Sequence, residues 1–103
     1  MITNVVFLKI KDRNEIAHVT QELLRMKGRI APLLDISVRE NIRDTGFDLV
    51  MTNIYSSQTD MEKYLIDPLH VEISQNIRDK IENQASACYE PDRNSAVEVV
   101  SGN

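Results

Sequence analysis

Tryptophan is absent from this chain, and two phenylalanines and three tyrosines are its whole aromatic complement. The core must therefore be assembled from Ile, Leu, Val and Met. A single cysteine, Cys88, excludes an internal disulfide and fits a reducing compartment. The three glycines, Gly28, Gly46 and Gly102, are too far apart to build a phosphate-cradling loop. Basic residues are outnumbered, 12 Lys and Arg against 16 Asp and Glu, and the net charge of −4 argues against nucleic acid. Lys27 with Arg29, and Arg39 with Arg43, come nearest to basic clusters and read as solvated faces. No apolar run approaches the ~18 residues that span a bilayer. Met1 to Lys11 is apolar, but its lysines follow the run and no small-residue cleavage site appears, so it does not read as a signal peptide. The expectation is a cytoplasmic protein without membrane contact.

At 103 residues the chain has room for one core, and a domain of this size buries only roughly 65% of its unfolded surface. Its stability is expected to lean on a partner surface. Ile2 to Ile10 contains the unbroken run Val5-Val6-Phe7-Leu8, the signature of a strand covered on both faces. Asp12 or Asn14 can cap the helix that follows, which carries Ile16, Val19, Thr20, Leu23 and Leu24 at helical spacing and stops at Gly28. Leu34, Ile36, Val38 and Ile42 alternate with polar residues as a half-buried strand. Arg43 to Gly46 reads as a hairpin turn, and Phe47 to Tyr55 as the returning strand. A second helix is expected over about Thr59 to Ile66, capped by Ser57 or Thr59. Beyond Pro68 a third helical stretch places Ile73, Ile77 and Ile81 on one stripe, and a last strand runs from about Gln84 to Glu90.

The order is β-α-β-β-α-β, an α+β ferredoxin-like monomer with a four-stranded antiparallel sheet. Helices cover one face of such a sheet. The first strand shows no wet side, so the other face also needs a cover, and a second copy of the same sheet supplies it most simply. A homodimer is expected. Residues 1–91 form the domain; the tail, 92–103, is either disordered or a short strand docking on the partner.

Proline lacks the amide donor that would continue a helix, so Tyr64-Leu65-Ile66-Asp67-Pro68-Leu69-His70-Val71 ends one helix and starts another with His70 at the junction. Tyr64 lies about one and a half turns earlier, within reach of the same pocket. An imidazole with an ordinary pKa of about 6.5 suits proton transfer near neutral pH. The alternative is that His70 simply bonds a backbone carbonyl freed by the break. Tyr64 either orients a ligand through its hydroxyl or packs its ring. Asn4, Thr52, Asn53 and Ser86 are polar residues inside strands and need partners, from a wet pocket or across a dimer. Met26 and Met51 can soften a ligand cavity, while Cys88 reads as a buried, inert thiol and Asp48 as a group bonding near the hairpin. Asp67, His70 and Glu72 lack the spacing and the third ligand that a zinc site wants, and no nucleophile or cofactor motif appears. Neither metal nor cofactor is expected.

These segments resemble the stress-responsive dimeric α/β-barrel family, usually called Dabb. Met1-Ile2-Thr3-Asn4-Val5-Val6-Phe7-Leu8-Lys9-Ile10-Lys11 is similar to its opening apolar strand ending in Lys-x-Lys. Gly46-Phe47-Asp48-Leu49 followed by Tyr55 is similar to its third strand. Tyr64 to Val71 resembles its His-Pro-x-His-Val signature, and Tyr89-Glu90 its closing strand. The resemblance covers about residues 1 to 90 and implies a ferredoxin-like monomer whose sheet pairs with a second copy into a dimeric α/β barrel. Plant members that close polyketide rings use a histidine at the His70 position and a tyrosine matching Tyr64, so these two are the implied catalytic pair. Asn4, Met51 and Asn53 are the candidate ligand-binding residues. Asn4, Leu49 and Asp67 stand where members carry further histidines. Two functions follow as expectations. One is a pocket for a small apolar carbonyl or aromatic compound, with cofactor-free acid/base chemistry. The other is a non-catalytic, stress-associated dimeric interaction module with a packed interior.

Overall fold

The computed structural model describes residues 1–92. The expected docking or disorder of the tail lies, from residue 93 on, outside the described residues. Val5-Val6-Phe7-Leu8 sits in strand β1 (Ile2–Ile10), and β1 occupies an interior place in the sheet, whose order is β2-β3-β1-β4 with every pairing antiparallel. Strand β2 is Leu33–Glu40, β3 is Leu49–Tyr55 and β4 is Ile81–Tyr89. Helix α1 (Ile16–Leu24) follows β1; α2 (Gln58–Leu65) and α3 (Pro68–Ile77) lie between β3 and β4. The expected order holds, with its second helical region in two pieces.

Alternation along the strands sorts the two faces. In β3, Leu49, Met51, Asn53 and Tyr55 are buried while Val50, Thr52 and Ile54 are half-buried. In β1, Ile2, Leu8 and Ile10 belong to the core, and Val5 and Phe7 on the opposite face are only half-buried. The helices bring Val19 and Leu23 from α1, Tyr64 from α2, and Ile73 and Ile77 from α3 to the same core. Each such side chain contributes about 1.5–3 kcal/mol by leaving water. Among the described residues, the far face of the sheet, with Val5, Phe7, Val50 and Ile54, has no comparable cover.

Local chemistry sets the element ends. Ser57 Oγ accepts the Asp60 N–H at 3.2 Å and starts α2. Asp67 is extended (ψ 134°), as a residue before proline prefers. Its Oδ1 accepts the Leu69 N–H at 2.9 Å, and Pro68 takes the first helical position, where its missing donor costs nothing. Gly28 (φ +72°) and Gly46 (φ +97°) occupy left-handed backbone that only glycine adopts freely.

Several boundaries differ from the periodicity reading. The register of β2 slips between Leu33 and Asp35, and this bulge turns Leu34 outward to 55% exposure, so Leu33 and Ile36 face the core instead. Ile42 lies 97% exposed beyond the end of β2. The connection to β3 is longer than a tight hairpin: Asn41 donates its backbone N–H to the Asp48 carbonyl (2.8 Å) and its Nδ2 to the Phe47 carbonyl (2.9 Å). Ile81 opens β4 instead of closing a helical stripe, because a 3-10 turn at Arg78–Lys80 ends the helix after Ile77. Cys88 is exposed, not buried, on edge strand β4, which is exposed along most of its length.

Asp48 ties this end of the sheet together. Its buried carboxylate accepts the Ile10 N–H at 2.8 Å and Arg13 Nη1 at 3.2 Å, while Lys9 Nζ lies 3.7 Å away. Arg13 is largely exposed and adds little. Asp48→Ala orphans the Ile10 amide, so the unfolding free energy should drop by about 1–3 kcal/mol. Urea titration checks this, and Asp48→Asn, which keeps an acceptor, should recover much of the loss.

Candidate functional site

The helix break decides where His70 points. Within an unbroken helix the Leu65 carbonyl would accept the Leu69 N–H, but that amide is taken by Asp67. The freed carbonyl lies 3.0 Å from His70 Nδ1. A carbonyl only accepts, so Nδ1 carries the hydrogen, and in the neutral ring Nε2 is left with a lone pair. Ser74, one turn further along α3, places its Oγ 3.4 Å from that Nε2. The structural bond foreseen for His70 thus also fixes its tautomer, with Nε2 as the acceptor nitrogen of the neutral ring.

Tyr64 packs its ring against the imidazole, with centroids 4.4 Å apart, and against Tyr55 at 5.2 Å. Only 2% of Tyr64 is exposed, and its hydroxyl donates to Met26 Sδ at 3.6 Å, a weak acceptor. Burial pushes the Tyr64 phenol up to about 12, and burial together with the neighbouring Tyr64 raises Tyr55 as well. Both phenols are donors at neutral pH. The Asn53 carboxamide is near enough to moderate both shifts, yet it makes no hydrogen bond of proper geometry. Asn53 is fully buried with neither amide atom partnered, and the buried Tyr55 hydroxyl is unpartnered too. Each such group costs roughly 1–3 kcal/mol.

These side chains border a cleft of about 860 Å³ between α2–α3 and the helix-side face of the sheet, within the range of small-molecule sites. Asn4, Met51, Asn53, Tyr64 and His70 all line it. Asn4 stands directly across from Asn53 on one side and Cys88 on the other. Its Nδ2 donates to the Ala87 carbonyl at 3.3 Å and to Cys88 Sγ at 3.2 Å, and the Cys88 thiol lies 3.6 Å from Met61 Sδ. An interior this open does not match the packed interior of the non-catalytic alternative.

Thr52 faces away from the cleft, and Leu49 is buried in the core. Asp67 is occupied in capping α3, and Glu72 pairs with Arg25 at 2.9 Å. Among the described residues no group of three His, Cys, Asp or Glu is placed to hold a metal ion. Sequence reasoning missed Ser74, although its four-residue spacing from His70 on one helix was a usable signal. It also missed Tyr55 as a buried hydroxyl and the meeting of Cys88 with Met61, which depends on register across β1 and β4.

Among solved structures, a crystal structure from Arabidopsis thaliana superimposes with a TM-score of 0.81 at 15% identity, covering 91% of this chain and 98% of that one. A dimeric ferredoxin-like protein of unknown function from Bacteroides fragilis matches with a TM-score of 0.73 at 18% identity (86% and 94% covered). The hydroxynitrile lyase of Passiflora edulis matches with a TM-score of 0.75 at 13% identity (85% and 90% covered). At such identities the likeness establishes the ferredoxin-like fold. No curated protein matches the sequence. The family model described as Stress responsive A/B Barrel Domain matches residues 2–90, and the chain belongs to that family.

Proposed function

We propose that the protein is a homodimer in which each subunit holds a small, largely apolar carbonyl or aromatic compound in the cleft and performs cofactor-free acid/base chemistry on it. One observation carries this reading: the Leu65 carbonyl fixes His70 with Nε2 as the acceptor, at the wall of a cleft of ligand size. Nε2 removes a proton from the carbon next to the ligand carbonyl, giving an imidazolium and an enolate. The Tyr64 hydroxyl turns from the Met26 sulfur and donates to the enolate oxygen. A hydroxynitrile lyase with this fold agrees with small-carbonyl chemistry. The dimer is supported by the uncovered sheet face and by the dimeric Bacteroides fragilis neighbour.

His70→Ala should abolish turnover, or binding, of whichever small carbonyl or aromatic compound a screen identifies. Loss of the Leu65 bond removes about 0.5–1.5 kcal/mol, so melting should fall by no more than about 10 °C. Turnover and thermal unfolding measured on the same preparations decide the matter. Should binding and stability collapse together, His70 is structural and the catalytic reading is wrong.

A further inference from the structure

We infer that Asn53 is the specificity-determining residue of the cleft, selecting an uncharged ligand end that carries a carbonyl acceptor and an N–H donor side by side, as a primary carboxamide does. This rests on the cleft being a ligand site. Asn53 presents an acceptor, Oδ1, and a donor, Nδ2, on one planar group; both are buried and neither has a partner. A group with the mirrored pattern meets both atoms through two parallel hydrogen bonds, whereas a ligand lacking either half leaves a buried polar atom unpaired.

The nearest hydroxyls, those of Tyr55 and Tyr64, bear on the Asn53 amide but make no hydrogen bond of proper geometry with it. Across the sheet Asn53 stands between Asn4 and Ile36. Ile36 is apolar, and Asn4 already spends its Nδ2 on Ala87 and Cys88. The Tyr64 hydroxyl is directed to Met26. No charged side chain stands in the sheet row of Ile36, Asn53, Asn4 and Cys88, although His70 lines the same cleft. Glu82, a charged residue of the lining, is six residues along β4 from Cys88, the residue in the row of Asn4 and Asn53, which is roughly 20 Å away. Arg78 precedes it in the chain, at that same end of the strand. A carboxylate at Asn53 would find no counter-charge in that row and would leave Asn53 Oδ1 without a donor. The cleft lining includes Met26, Met51 and Met61. Their unbranched thioether side chains yield readily, so a ligand reaches the amide by displacing them.

Four probes of similar shape test this by NMR titration of the full chain at neutral pH: benzamide, benzoate, acetophenone and ethylbenzene. The wild type should bind benzamide at least about tenfold more tightly than the other three. Asn53→Leu should erase that preference while still binding ethylbenzene. Its melting temperature should not fall, since the substitution removes two unpaired polar atoms and keeps the volume. Asn53→Val, which suits a strand, serves as the second variant with the same expected loss. Equal binding of the four probes by the wild type, or a benzamide preference that survives both substitutions, overturns the role of Asn53 and leaves the cleft standing as a ligand site. If the wild type binds none of the four at millimolar concentration, the cleft reading itself fails and the inference falls with it.

Discussion

Tyr64→Ala should lower the unfolding free energy by about 3–5 kcal/mol, and Tyr64→Phe by less than about 1 kcal/mol. The asymmetry follows from what each half of the side chain does. The ring is almost fully buried between Tyr55 and His70, and removing it opens a void where α2 meets the sheet. The hydroxyl has only a thioether as its partner, so its loss is nearly free. For a domain of this size, about 4–8 °C is lost per kcal/mol, so the alanine variant should melt well below the wild type and the phenylalanine variant close to it. The pair also separates packing from chemistry. If the Tyr64 hydroxyl steadies an enolate, Tyr64→Phe keeps the fold and loses turnover. A fully active Tyr64→Phe would remove the hydroxyl from the proposed mechanism while leaving His70 in it.

Light scattering at micromolar concentration should return twice the 11.8 kDa chain mass for the wild type and a single 11.8 kDa species for Phe7→Asp. Phe7 lies on the sheet face that the helices leave uncovered, 5.7 Å from the ring of Phe47. Val5, Val50 and Ile54 extend the same half-buried apolar surface. In a two-fold dimer the substitution enters twice, placing two carboxylates in an apolar interface without partners. At about 2–3 kcal/mol each, the dissociation constant should rise by roughly three to four orders of magnitude. A wild-type protein that scatters as 11.8 kDa contradicts the homodimer, and an unaffected Phe7→Asp dimer would mean that a different surface pairs.

Much of this architecture is readable from residue types. β1, the Ser57 cap and the break at Pro68 rest on strong local rules: a β-branched run, an oxygen two or three residues before free amides, a ring that cannot donate. Where two periodicities fit equally, local reading failed. Ile73, Ile77 and Ile81 suit one helical stripe, but Ile81 pairs with Ile10 in the sheet, and only tertiary contact decides that. Strict alternation puts Leu34 on the same face as Ile36, because it has no means of anticipating a bulge. The junction of Tyr64 and His70 is a short-range feature and was visible. The isolation of Asn53 was not, since it arises from the register of β3 with β1 and from Asn4 spending its own amide elsewhere. Cys88 departs from the burial expected of it for the reciprocal reason. A small residue in a strand suggests burial, but β4 is an edge strand with open space above it.

The interior position of β1 also has a consequence for biosynthesis. β1, made before the other strands of this sheet, needs β3 along one edge and β4 along the other. Asn4 and Ala87, joined through the Asn4 amide, are 83 residues apart in the chain. At about 5–20 residues per second, that second edge stays unpaired for several seconds of translation. The apolar Val5 to Leu8 run is thus a nascent-chain segment that chaperones can capture, and chain closure by β4 is the step that releases it.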